Sequence, residues 1–350
     1  MTITVTRIGT MRRGLFAGAI FAAAFVFGAP VARAAEHLTF AAPAVPPVWA
    51  GVVEYVADQA GFFKKYGVDV SIKAMDSGVE AAKAVAAGSL DTTLTPTQFL
   101  ATMIANSGAP MVAIGGEDKG DWMIGSMDAK KTSCDSMKGQ GVGVDTPHGA
   151  RWLQINTYLV KKCHLVTDKD VPTVPLSSNV GTAMASGQLT FGVLHIDDVP
   201  VIERMSGKKV SIIAHLEDVE PGIHYIALVV RKDNLAKKRD EFVRFLAALR
   251  DAAQWMHDPK NADKAATIAM VTKRDKAAAL AALAAYNKMQ FWPLDSAGLD
   301  QARVERAIAN QANIGKISKG RSGINPAKTP PTFAQMVDLS VWRDAAKMKK

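Results

Sequence analysis

From Leu38 onward, hydrophobic and polar positions alternate between two periods. Trp49, Val52, Val53 and Val56 repeat with helical spacing until Gly61 stops them, and Val68, Val70 and Ile72 then alternate as strand residues do. The apolar run at Leu38, the small-residue segment DSGVEAAKAVAAG and the stretch leading to Thr95 complete an order of strand, helix, strand, helix, strand by Leu100. Parallel strands joined by right-handed crossovers are implied, so this stretch predicts the start of a doubly wound α/β fold.

The same pattern returns further along. A strand is expected at Gly141 to Val144, a helix from Ala150, a strand at Thr173 to Leu176, a helix from Val180 and a strand at Phe191 to His195, with LEDV (residues 216–219) as the last strand region before Pro221 and Gly222. About 315 residues beyond the N-terminal segment exceed one compact core. The pattern divides them into one lobe of residues 35–124 plus 225–350 and an inserted lobe of residues 125–224, each a mostly parallel sheet flanked by helices. Trp122 to Met127 and Tyr225 to Arg231 are β-rich and are expected as the two crossing strands of a hinge, about which the lobes close as rigid bodies. Beyond residue 240 the chain is alanine-rich and helical, with Phe242, Phe245, Leu246 and Leu249 on one face, and is expected to pack on the outside of the first lobe.

Residues 1–34 stand apart from this pattern. Arg12 and Arg13 precede an apolar run from Gly14 to Gly28, and Ala32-Arg33-Ala34 has the small-x-small form of a signal-peptidase site, predicting cleavage between Ala34 and Ala35. The run is shorter than the roughly 20 apolar residues that span a bilayer. Ala35, not a cysteine, follows the site, so the expectation is a periplasmic protein without a lipid anchor. Met11 is an alternative start, and the arginine pair with Leu15 and Phe16 is a weak twin-arginine pattern.

Charge changes the picture slightly. Setting aside the four arginines before residue 36 leaves 38 of the 42 basic groups against 33 acidic ones, a mild bias that favours approach of an anionic solute. No lysine cluster is interleaved with aromatics as a nucleic-acid surface requires. Cys134 and Cys163 are the two cysteines, and an oxidising compartment makes them a candidate disulfide, with two buried free thiols as the alternative. The seven histidines are scattered, so neither a metal site nor a cofactor is expected.

In a parallel sheet the loops leaving the carboxyl ends of the strands line the crevice, and the helices that follow point free N–H groups into it. Those loops are Pro46 to Trp49, Asp76 to Gly78, Thr95 to Thr97, Thr146 to Ala150, Ser177 to Asn179 and His195 to Asp198. Thr95, Thr97, Ser77 and Gly78 suit an anion at a helix start, but also ordinary capping. Thr146, His148 and Gly149 open a helix beside Pro147 and expose several donors at once. Trp49 and Trp122 are candidates for stacking on a ligand or for core. His195 and Asp197 are further candidates, with Asp197 and Asp198 suited either to an amine or hydroxyl of the solute or to capping the next helix.

AGFFKKYGVDVSI, the DSGVEAAKAVAAG helix, the TPTQF turn, SMKGQGVGVDTPHGA, ASGQLTFGVLHIDD and YIALVVRKDNLAKKRDEFVRFLAALRDAAQWMHDP occur in this order. Together they resemble the solute-binding proteins of bacterial ABC importers, in the group that includes nitrate, sulfonate, taurine and thiamine-pyrimidine-precursor binders. The resemblance implies a two-lobed periplasmic binding fold of type II that delivers a small organic or oxyanionic solute to a membrane permease and its ATPase, acting as a monomer. LHIDDVP departs from the family, which has an aromatic residue followed by Glu-Pro there. A ligand-sensing receptor is the alternative. An enzyme like the fungal thiamine-pyrimidine synthase would need a cysteine-rich motif that this chain lacks.

Overall fold

Phe40, Ala41 and Ala42 are fully buried in succession because the strand that carries them is covered on both faces. The computed structural model describes residues 37–348, so the expected signal peptide lies outside the described residues. Along the described residues run ten strands: β1 (His37–Pro43), β2 (Asp69–Met75), β3 (Thr92–Pro96), β4 (Met111–Glu117), β5 (Met123–Ser126), β6 (Val142–Val144), β7 (Thr173–Pro175), β8 (Phe191–Leu194), β9 (Ser211–His215) and β10 (Ile226–Arg231).

They form two sheets of equivalent order, β2-β1-β3-β10-β4 and β7-β6-β8-β5-β9. β1 pairs in parallel with β2 and β3, and β6 with β7 and β8. The antiparallel member occupies the same place in both sheets, and in each it is the strand that has just arrived from the other lobe: β10 in the first and β5 in the second. β5 and β10 therefore each lie within one sheet, and the chain crosses between the lobes in residues 118–122 and 216–225. The two crossings are tied where the Leu216 N–H donates to the Trp122 carbonyl at 2.9 Å.

Three expectations need correction. Trp122 to Met127 and Tyr225 to Arg231, expected as the crossing strands of a hinge, instead carry β5 and β10, each within one sheet. LEDV is not a strand: β9 supplies the last strand of the second lobe, and Leu216–Val219 is a single helical turn inside the crossing. Nor does the whole C-terminal third stay on the outside of the first lobe. Helix Arg239–His257 does, with Phe245 stacked on Phe63 at 5.3 Å. Arg274 and helix Lys276–Met289, however, reach the second lobe, where the Tyr286 hydroxyl donates to Asp197 at 2.9 Å. A buried tyrosine hydroxyl needs a polar partner, and that requirement draws this helix across the cleft.

Cys134 opens a short helix before β6, and Cys163 closes the turn after helix Ala150–Tyr158. Their sulfurs are bonded, with Cα atoms 5.4 Å apart.

Candidate functional site

The carboxyl ends of the parallel strands in the two sheets face each other across the cleft, and their loops touch. Ser177, after β7, donates its hydroxyl to the Asp76 carbonyl at 3.1 Å and to the Val45 carbonyl at 3.4 Å, both in the first lobe. Between the loops lies a narrow space of about 30 Å³ walled by Gly78, Trp122, Arg151, Ser178 and His195, among others. Val48, Arg151, Ser178 and His195 also wall a larger cavity of about 250 Å³ that includes Trp49, Asp197 and Arg274. Glycine is required at position 78, where a Cβ would stand 2.7 Å from the Leu94 carbonyl oxygen.

A buried charge cluster holds this cleft together. Asp198 opens helix Asp198–Ser206; its Oδ2 accepts from both terminal nitrogens of Arg151 at 3.1 Å, and its Oδ1 accepts from Arg274. Arg274 Nε also donates to Asp197 at 2.9 Å. Asp121, in the first crossing, takes His195 Nδ1 at 2.7 Å, the Ile196 N–H at 2.9 Å and the Tyr286 hydroxyl at 2.7 Å. Burial alone would raise all three carboxyls. Arg151, Arg274 and His195 overcome it at Asp198, and His195 does so at Asp121, so both are held below the usual carboxylate range. At Asp197, burial and the neighbouring Asp198 outweigh Arg274, and its carboxyl is raised.

The expected residues divide on inspection. Trp49, Trp122, His195, Asp197, Ser77 and Gly78 wall the two connected cavities. Trp49 is stacked on Tyr286 with ring centres 5.2 Å apart, and Trp122 lies 3.8 Å from the His195 ring, yet the indole Nε1 of each tryptophan has no hydrogen-bond partner. Ser77 caps its helix by accepting from the Glu80 N–H at 3.2 Å. The Thr97 hydroxyl is bonded to buried His224 at 2.7 Å. Thr95 is fully buried, and its hydroxyl, like that of Thr146, is unpaired.

At the helix start after β6, the anion is already part of the chain: the Asp145 carboxylate accepts from the N–H groups of Ala150 and Arg151 at 2.7 and 3.1 Å. Gly149 is needed there because a Cβ would collide with that carboxylate. The expectation that this turn offers its donors to a ligand is corrected accordingly. His148 is likewise outside the cleft. Its backbone has φ 59°, and the exposed ring packs 4.4 Å from Trp152 on another face. Asp197, paired with Arg274 and Tyr286, is not a free acceptor for an amine.

Sequence reasoning missed Asp121, Arg151, Arg274 and Tyr286. Arg151 sat next to an expected helix start, a signal that was present. Arg274 and Tyr286 carried none, because their partners lie 76 and 89 residues away in the other lobe.

Two mostly parallel sheets of matching order, joined by a double crossing around a cleft, are the periplasmic binding protein fold. A family model described as NMT1/THI5 like matches residues 51–262, and the chain belongs to that family. No curated protein matches the sequence. Among solved structures it is similar to a Bordetella bronchiseptica protein at 20% identity, covering 88% of this chain and 96% of that one with a TM-score of 0.73. It is also similar to the periplasmic nitrate-binding protein NrtA from Synechocystis PCC 6803, at 16% identity, 90% and 88% coverage and a TM-score of 0.68. The periplasmic aliphatic sulphonate binding protein SsuA from Escherichia coli matches at 14% identity, 85% and 93% coverage and a TM-score of 0.60. No helix among the described residues is long and apolar enough to cross a membrane.

Proposed function

We propose that this protein is the solute-binding component of an ABC importer, which closes its two lobes on a small acceptor-rich solute, an organic or inorganic oxyanion, in the periplasm and hands it to a membrane permease. The observation that carries this reading is the set of unpaired donors around the connected cavities: the indole N–H groups of Trp49 and Trp122 and the hydroxyl of Ser178. An indole N–H can only donate, and left unpaired in a buried site it costs about 1 to 3 kcal/mol, so an occupant that accepts hydrogen bonds satisfies both tryptophans. Arg151, Lys273 and Arg274 also face the larger cavity, against Asp197 and Asp198. Three bases against two acids leave the balance on the positive side, which favours an anion.

Size narrows the class further. A cavity of about 150 Å³ holds benzene, so a space of about 250 Å³ suits a solute of roughly ten non-hydrogen atoms. The nitrate and sulphonate binders among the similar structures support an oxyanion. Signal-peptide cleavage after Ala34, a monomeric state and an ABC permease with its ATPase as partners belong to the same proposal.

The test is the melting temperature of protein stripped of bound solute by unfolding and refolding, against nitrate, sulfonates, carboxylates, amines and pyrimidines. A ligand at 100 times its Kd adds about 2.7 kcal/mol and, at about 2.1 cal/mol/K of unfolding entropy per residue, shifts melting by about 4 °C at this size. A shift with oxyanions and none with amines is expected. A shift with amines alone overturns the anion assignment.

A further inference from the structure

Between the two lobes lies a second cavity, open to solvent and of about 410 Å³, that shares no wall residue with the cleft cavities. One side comes from helix Ala150–Tyr158 and the turn after it, and the other from the end of helix Gln301–Ile317 and residues 318–322. The two sides meet where the Asn156 amide donates to the Ser322 hydroxyl at 3.4 Å.

Its chemistry is lopsided. Arg321, His148 and His164 face it, and among the described residues none of these three side chains has a hydrogen bond or ion pair within the protein. One carboxylate, Asp168, lines it, and that group is already occupied by Trp152 Nε1 at 2.8 Å and by the Thr173 hydroxyl and N–H. The remaining wall is mixed: Asn156, Thr167, Ser318 and Ser322 are polar, while Trp152 and Val160, nearly fully buried, and Ile317, 52% exposed at the rim, form an apolar part. His148, His164 and Asp168 all have φ between 54° and 64°, a left-handed conformation that histidine and aspartate adopt more readily than most side chains.

We propose that this cavity is a second ligand site, for an organic anion with an aromatic or aliphatic body. The carboxylate or other acidic group is received by the Arg321 guanidinium and the two imidazoles, and the body packs on Trp152, Val160 and Ile317. The site is distinct from the cleft, since the two share no wall residue.

Calorimetric titration of the purified protein with phenylacetate, indole-3-acetate and octanoate tests this. At least one is expected to bind, with affinity reduced roughly tenfold or more in both Arg321→Ala and His164→Ala, as loss of a charge-assisted contact requires. Ser178→Ala, in the cleft, should bind that probe as the wild type does. Arg321 and His164 are exposed, so unchanged melting temperatures of both variants confirm that folding is intact. The proposal is overturned if none of the three compounds binds at millimolar concentration, if both variants bind like the wild type, or if binding is lost only in Ser178→Ala. Loss only in Ser178→Ala would place the compound in the cleft and leave the solute-binding reading standing.

Discussion

Asp198 holds a guanidinium from each lobe: Arg151 of its own lobe on one carboxylate oxygen and Arg274 of the other lobe on the second. The lobes are thus joined by charge as well as by the two crossings. Removing Arg274 leaves Asp198 paired with Arg151 but strips Asp197 of its cation. Breaking a buried pair outright costs roughly 3 to 5 kcal/mol, and the surviving Arg151 contact should hold the loss below that range. For Arg274→Gln, solution X-ray scattering of solute-free protein should show a larger radius of gyration, with a melting point several degrees lower. An unchanged radius would mean that this pair does not hold the lobes closed.

The pH dependence of stability has two opposed arms. Asp121 and Asp198 have carboxyls depressed below their unfolded values, so the stability they contribute is present above the ordinary Asp range and is lost as pH falls through it. Glu54 is the reverse case. Burial outweighs a backbone hydrogen bond and raises its carboxyl from 4.5 to about 8, so its folded-state advantage is full below pH 4.5 and declines as pH rises toward 8. Neighbouring Glu117 is raised for the same reason, with Glu54 adding to it. At 1.36 kcal/mol per pH unit, the Glu54 penalty at pH 8 is on the order of 4 kcal/mol. Urea unfolding of Glu54→Gln should therefore show a gain over wild type at pH 8 that shrinks toward pH 5. A gain that does not vary with pH would show that Glu54 does not titrate in this way.

The Cys134–Cys163 bond closes a loop of 29 residues in the second lobe. On the chain-entropy account, such a loop contributes roughly 3 to 4 kcal/mol by restricting the unfolded chain. Both cysteines lie far in sequence from the cleft loops of the first lobe, so reduction should lower the melting temperature while solute affinity at 25 °C changes little. Equal melting curves with and without reductant would contradict the entropic contribution.

Much of the scaffold was legible because burial on both faces of a parallel sheet writes itself as short apolar runs, as at Phe40, Ala41 and Ala42. The six cleft loops followed from the same logic, since strand ends define where crevices form. What escaped was long-range electrostatics. Asp145 stands five residues before Ala150, close enough to have been suspected as an internal cap. Nothing local to Arg274 or Tyr286 shows that a helix of the first lobe crosses to the second, because only their partners' three-dimensional positions make those contacts favourable. His148 left the cleft through its left-handed backbone, a conformation open to histidine that the residue type alone does not announce.

Trp122 offers the sharpest test of the cleft, because its ring and its N–H can be separated. The ring is 7% exposed, packs on His195 and Tyr225, and lies beneath the Arg151 guanidinium at 5.6 Å, so it stabilises the fold as an aromatic surface. The N–H has no protein partner. Trp122→Phe keeps a ring and deletes the donor, and should alter the melting temperature of the solute-free protein only modestly. If the N–H serves an anionic solute, its loss removes a charge-assisted bond of about 1.5 to 3 kcal/mol, and affinity should fall by roughly ten- to a hundredfold. A variant that binds the solute as tightly as the wild type would remove Trp122 from the set of ligand donors and leave Trp49 and Ser178 to carry the site.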